Sequence, residues 1–123
     1  MEKIKVVVVK PERSAEVKEI EAKLENYQAI VGGLIEPCYP FDDKVAVVVN
    51  EEGLFNGSLP NRAWYDEGKI INIFFGDFFI IGVGEEDFIG LTDEQIARYL
   101  EYYKVPEFFI RTDRGIAVIK GDA

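Results

Sequence analysis

The chain has 123 residues, 48% of them apolar and 13% aromatic, which is enough for one domain with a hydrophobic core. Its 14 Lys and Arg residues stand against 23 Asp and Glu residues, and the formal net charge of -9 disfavours direct binding to nucleic acid or to acidic membrane surfaces. The absence of histidine excludes the serine, cysteine and metal chemistries that depend on imidazole.

The cysteine content and the start of the chain predict a cytoplasmic protein. The single cysteine, Cys38, cannot form an internal disulfide, and the apolar run after Lys3 is too short for a signal peptide or a membrane span. No metal-ligand or dinucleotide motif is complete, so we expect neither a metal nor a cofactor.

The first part of the chain changes from a strand pattern to a helix pattern. Ile4–Lys10 (IKVVVVK) is β-branched and is followed by Pro11, which predicts a buried strand. The next segment has helical spacing, with Ser14 as its expected cap. The predicted apolar stripe of this helix consists of Val17, Ile20, Leu24 and Tyr27.

The middle of the chain contains two extended segments and a long connection. Pro37 and Pro40 confine Leu34–Phe41 to a sheet edge or an irregular strand, whereas Lys44–Asn50 (KVAVVVN) has the pattern of a buried strand. The connection that follows reaches about Lys69 and is rich in Gly, Asn and Pro. Connections longer than about 12 residues in a compact domain are usually functional or disordered.

The last third of the chain predicts two strands, a helix and a final strand. Lys69–Gly84 is very apolar and is interrupted by Gly76-Asp77, which predicts a hairpin. LTDEQI contains a capping box, in which Thr92 and Gln95 begin a helix that we expect to reach about Lys104. Leu91 and Ile96 form its hydrophobic staple, and a short strand is expected at Gly115–Lys120.

This order of elements predicts an α+β fold in a single domain over residues 1–123. We expect a mostly antiparallel or mixed sheet of about five to six strands, with two helices packed on one face.

One polar stretch, NEEGLFNGSLPNR at Asn50–Arg62, is the best candidate site. Its carboxylates, amides and guanidinium are able to recognise a ribose, a base edge or a phosphate, and an aromatic residue just beyond it could stack on a base. The candidate ligand-binding residues are Asn50, Glu51, Glu52, Asn61, Arg62 and Trp64. The alternative is structural: Glu51 or Glu52 pairs with Arg62, and Asn56-Gly57 is an ordinary turn.

Two other motifs favour ordinary structure. The capping box explains the likeness of LTDEQI to the start of an EF-hand, because no calcium loop follows it. Glu85, Glu86 and Asp87 are adjacent acids, which is typical of a solvated loop rather than of a metal site.

Four segments together resemble a small, acidic family of domains of unknown function that is found on bacteriophages and conjugative elements. The segments are IVGGLIE (Ile30–Glu36), NEEGL (Asn50–Leu54), LPNRA (Leu59–Ala63) and FFIIGVGEEDFIGLTDEQIARY (Phe78–Tyr99). The resemblance extends over about residues 4–105, and the segment after Pro106 lies outside it.

The resemblance implies a protein of a mobile element in the cytoplasm of a bacterial host. Such proteins often counter host defence without being enzymes, either by sequestering a nucleotide-derived signal or by acting as an acidic decoy for a restriction or other DNA-binding enzyme. The residues leave two further alternatives open: carboxylate and Arg chemistry for a hydrolase, and self-association as a homo-oligomer. The aromatic residues behind the second alternative are Tyr102, Tyr103, Phe108 and Phe109.

Overall fold

The computed structural model describes residues 2–53 and 56–121 as one domain built around an antiparallel sheet. The strand order of this sheet is β2-β1-β7-β4-β3, and β8 pairs with β7. The bounds of these strands are β1 (Lys3–Val9), β2 (Glu16–Glu21), β3 (Ile35–Cys38), β4 (Val45–Asn50), β7 (Phe78–Val83) and β8 (Phe88–Ile89).

Two further antiparallel hairpins and two helices complete the described part of the fold. One hairpin is β5 (Pro60–Asp66) with β6 (Lys69–Phe75), and the other is β9 (Glu107–Thr112) with β10 (Gly115–Lys120). The helices are α1 (Leu24–Val31) and α2 (Asp93–Tyr102). The predicted α+β class and antiparallel sheet therefore describe the protein correctly.

The two helices pack on opposite faces of the sheet, so the prediction that both lie on one face is wrong. Tyr27 and Val31 of α1 join the apolar cluster that contains Val48, whereas Ile96 and Tyr99 of α2 join the cluster on the other face. The physical reason lies in β4, whose six residues are all buried, because a sheet that is apolar on both faces needs cover on both.

The first half of the predicted first helix is a strand, and only the second half is helical. Glu16–Glu21 forms β2, which pairs with β1 through Val17↔Val7 and Ile20↔Ile4, and α1 begins only after Lys23. Ser14 therefore caps no helix. The error arises because β2 is an edge strand with a single buried residue, so its spacing does not alternate as a half-buried strand does.

The hairpin predicted at Gly76-Asp77 is also wrong, although both predicted strands exist. β6 and β7 follow each other in sequence but pair with different strands, β6 with β5 and β7 with β1 and β4. The hairpin turn lies instead at Glu67-Gly68, where φ is 49° and 80°, the left-handed values of a type I′ turn. The long connection predicted up to Lys69 thus contains a strand, β5.

The second helix forms as predicted. The Thr92 hydroxyl accepts a hydrogen bond from the Gln95 N–H at 3.1 Å, and the Gln95 side chain accepts one from the Thr92 N–H at 3.0 Å. Leu91 and Ile96 are both buried, as a staple requires, and α2 ends at Tyr102, two residues before the expected end.

Four predicted strands are confirmed. The buried strands at Ile4–Lys10 and Lys44–Asn50 are β1 and β4. The edge strand within Leu34–Phe41 is β3, and the final strand at Gly115–Lys120 is β10.

Of the four aromatic residues proposed for self-association, Tyr103 belongs to the core, Phe109 is half-buried, and Tyr102 and Phe108 are exposed. Self-association itself stays a prediction.

Candidate functional site

A cleft of about 240 Å³ opens between the β3–β4 pair of the main sheet and strand β6. The N-terminal half of the predicted polar stretch forms part of its wall, since β4 ends there. The residues that line it are Glu36, Cys38, Val49, Asn50, Glu51, Gly53, Asn72, Ile73, Phe74 and Phe75.

Asn50 holds the wall of this cleft in place. Its Nδ2 donates to the carbonyl of Val31 at the end of α1 over 3.0 Å, and its Oδ1 accepts from the N–H of Glu52 over 2.7 Å. The amide sits so close to Gly33 that a Cβ at Gly33 would lie 2.9 Å from Nδ2. Both polar atoms of Asn50 are thus engaged, which leaves the carboxylates as the free acceptors of the wall.

The cleft offers acceptors and aromatic surface rather than cations. Glu36 and Glu51 are exposed carboxylates at the cleft, Phe75 contributes a half-buried ring, and none of the described lining residues is Lys or Arg. Burial, followed by the nearby Glu36, raises the pKa of the Cys38 thiol. Cys38 is therefore neutral at physiological pH and is a poor nucleophile.

Asn61 and Arg62 lie in the interior, away from the cleft. Asn61 is fully buried, and its Nδ2 donates to the carbonyls of Val9 and Gly76 over 2.9 and 2.8 Å. Its Oδ1 accepts from Arg62 Nη1 over 2.8 Å. The asparagine thereby ties β5 to the end of β1 and to the turn between β6 and β7.

Arg62 is a buried junction between three segments, with 1% of its surface exposed. Nη2 donates to the carbonyls of Arg13 and Tyr103 over 2.6 and 2.8 Å, which places its charge at the C-terminal end of α2. Burial lowers the pKa of Arg62, while the nearby Glu107 acts in the opposite direction. All four of its hydrogen bonds go to oxygen atoms of the protein, and Nε has no partner among the described residues.

The other two predicted residues, Glu52 and Trp64, are not among the residues that line the cleft. Glu52 is exposed and does not line the cleft, and Trp64 is half-buried and stacks on Phe74 with ring centroids 5.7 Å apart. Among the described residues, no ion pair joins Glu51 or Glu52 to Arg62. Of the six candidates, the structure thus places only Asn50 and Glu51 in the lining of the cleft, while Glu52 is held beside them through its backbone N–H.

Glu107 anchors the C-terminal hairpin, and sequence reasoning missed it. Its Oε1 accepts from the N–H of Ala63 over 2.7 Å, and its Oε2 accepts from the Tyr65 hydroxyl over 3.2 Å. Lys120 Nζ lies 3.7 Å from Oε2. No local pattern marks this acid as buried, because its two hydrogen-bond donors, Ala63 and Tyr65, lie more than 40 residues away in sequence.

Neither a metal centre nor a membrane span is found in the described part of the chain. No group of three or more His, Cys, Asp or Glu residues there could hold a metal ion. Glu85, Glu86 and Asp87 are exposed, as expected of a solvated loop. Neither described helix is long and apolar enough to cross a membrane.

Comparison with known proteins identifies the family of the chain. Residues 4–104 match the family model described as domain of unknown function DUF3846. No curated protein and no solved structure matches the chain.

Proposed function

The chain belongs to the DUF3846 family of domains of unknown function, and we propose that it is a non-enzymatic binding protein whose cleft takes a small, nucleoside-like ligand. The observation that supports this most directly is the composition of the cleft: two carboxylates and two Phe residues, with no cation among its described residues.

The lining matches the chemistry of a nucleoside better than that of a phosphate. Carboxylates such as Glu36 and Glu51 accept hydrogen bonds from ribose hydroxyls and from exocyclic amino groups. The Phe75 ring offers apolar surface to a base. The cleft, at about 240 Å³, is smaller than the roughly 300 to 1,000 Å³ that is usual for ligand pockets. A nucleoside bound there would therefore be enclosed only in part, and the rest of it would stay in solvent.

Phosphate groups of such a ligand would remain outside the cleft. The net charge of -9 repels anions at long range, and the guanidinium of Arg62 is occupied by four protein acceptors. In the mobile-element setting that the resemblance implies, the protein would sequester a host signal through its nucleoside part. We therefore expect nucleosides to bind more tightly than the corresponding phosphates.

Native mass spectrometry and calorimetry with matched nucleosides, mononucleotides, cyclic dinucleotides and ADP-ribose test this proposal. We expect an unaltered bound nucleoside, and we expect Glu51→Gln and Glu36→Gln each to weaken it by roughly tenfold, as the loss of one charge-assisted hydrogen bond implies. The matched control is Glu85→Gln, which neutralises an exposed acid outside the cleft. No bound species, or equal losses in all three variants, would refute the proposal.

The acidic-decoy alternative has weaker support from the arrangement of charges. A mimic of DNA needs acids along one face, whereas Lys18 interrupts the acids of β2 and Lys23 Nζ lies 3.6 Å from Glu21. A complex with a DNA-binding enzyme that dissociates steeply as salt is raised would favour the decoy over the ligand-binding protein.

A further inference from the structure

A second cavity lies between the start of α1 and strand β8, on the face of the sheet that α1 covers. Its volume is about 510 Å³, which is within the roughly 300 to 1,000 Å³ that is usual for ligand pockets. This α1–β8 cavity shares no lining residue with the cleft at β6. What it binds is therefore a separate question from the function of the cleft.

A buried tyrosine supplies a polar group to the α1–β8 cavity. Tyr27 is 8% exposed, and its ring is held by Phe79 and Phe88, with ring centroids 5.7 and 5.9 Å away. In the described part of the chain the Tyr27 hydroxyl has no hydrogen-bond partner, and it is not among the fully enclosed polar atoms. Because buried hydroxyls are normally paired, a fixed hydroxyl that opens on a cavity points to a ligand there.

The charges around this hydroxyl are mainly negative. Glu2 and Asp87 line the cavity and are exposed, and neither is in an ion pair with a described residue. Burial, followed by the nearby Asp87, raises the pKa of Tyr27, so its hydroxyl lies near that carboxylate and stays protonated at physiological pH. The cation at the cavity, Lys23, has its Nζ 3.6 Å from Glu21. The cavity thus offers hydrogen-bond acceptors and uncompensated negative charge.

Apolar side chains lie beside these acids. Leu24 and Ile89 are 52% and 50% exposed, and Phe88 is half-buried. A bare metal ion would make no use of this apolar surface, and no three metal-ligating side chains come together among the described residues. An anion would face two carboxylates. The combination fits a cation that carries an apolar body.

We propose that the α1–β8 cavity binds an organic ammonium, that is, a primary amine attached to an apolar group. The ammonium would donate to the Asp87 carboxylate and to the Tyr27 hydroxyl oxygen, and its third N–H would be directed to Glu2 or to water. The apolar body would pack against Leu24, Phe88 and Ile89. The net charge of -9 attracts such a cation over long range.

Titration of the full chain followed by NMR, with 2-phenylethylamine as the probe, tests this proposal. The matched probes are 3-phenylpropionate, which has the same ring but a negative charge, and methylamine, which has the positive charge but no ring. We expect saturable binding of 2-phenylethylamine that is roughly tenfold tighter than that of either matched probe.

Variants of the cavity supply the second part of the test. Asp87→Asn should weaken 2-phenylethylamine by roughly tenfold, and Tyr27→Phe by roughly fivefold with an unchanged Tm, because the lost hydroxyl has no partner among the described residues. The matched control is Glu101→Gln, which neutralises an exposed acid on α2, on the other face of the sheet.

These measurements use no nucleoside and change no residue of the cleft, so their failure is distinguishable from a failure of the proposed cleft function. No saturable binding of 2-phenylethylamine, or equal affinity for 3-phenylpropionate, would overturn the proposal. So would an equal loss in Glu101→Gln, an unchanged affinity in Asp87→Asn or Tyr27→Phe, or a marked fall in the Tm of Tyr27→Phe.

Discussion

Replacement of Arg62 tests whether this residue is a structural junction or a ligand-binding group. Arg62→Ala removes four hydrogen bonds, three of them between 2.6 and 2.8 Å. It leaves acceptors unpaired on Asn61, Arg13 and Tyr103, where β5, the turn after β1 and the end of α2 meet. A charged donor contributes about 1.5 to 3 kcal/mol for each such bond.

The expected loss of stability follows from these contacts. Three short bonds give about 4.5 to 9 kcal/mol, from which the desolvation cost of the buried guanidinium and its unpaired Nε must be subtracted. Disruption of a buried charged contact usually costs about 3 to 5 kcal/mol, so we expect about 4 kcal/mol for Arg62→Ala. In a domain of this size the loss corresponds to a fall in Tm of about 15 °C.

Thermal unfolding followed by circular dichroism measures this effect. Arg111→Ala is the matched control, because Arg111 is exposed on β9, and its Tm should change by no more than about 2 °C. Arg62→Lys keeps the charge but loses the planar fork, so its Tm should lie between those of wild type and Arg62→Ala. If Arg62→Ala melts like the control and loses ligand binding, Arg62 is a ligand-binding residue and the reasoning is refuted.

Three further predictions concern pH and capping. The hydrogen bond from the Tyr99 hydroxyl is the main cause that lowers the pKa of Asp43, so ionised Asp43 stabilises the fold above about pH 4. Asp43→Asn should cost about 1 kcal/mol in urea unfolding at pH 7, and this cost should shrink as the pH falls below about 4. Burial, aided by Glu107, raises the pKa of Tyr65 to about 12, so stability should fall as pH rises from about 10 to 12, and Tyr65→Phe should flatten that fall. Thr92→Ala should cost about 1 kcal/mol by denaturant titration, and an unchanged midpoint would contradict the capping role.

The sequence predicted the elements whose signal is local. β4 was recognisable from a continuous apolar run, and α2 from a capping box and a staple that lie within six residues of one another. Strand pairing was not predictable in the same way. The turn at Gly76-Asp77 separates two apolar strands as a hairpin does, but β7 finds its partners in β1 and β4, which are distant in sequence.

Only part of the candidate site was predicted, because the contacts that complete it are distant in sequence. Asn50 and Glu51 lie at the end of a buried strand and do reach the cleft, but the other residues that line it, including Glu36 on β3 and Asn72 on the opposite wall, come from separate parts of the chain. Arg62 has the composition of a ligand-binding residue in sequence. Its burial depends on the carbonyls of Arg13 and Tyr103, which no local pattern around Arg62 reveals.

The anchoring of β9 by Glu107 means that the folded unit extends past the region that defines the family. The family model ends at residue 104, while Glu107 satisfies the N–H of Ala63, a buried residue well inside that region. A fragment cut at the family boundary would expose an unpaired N–H on β5 and uncover the side of β5 opposite β6. The boundary of the folded unit in this chain is therefore set by the β9–β10 hairpin rather than by the end of the family match.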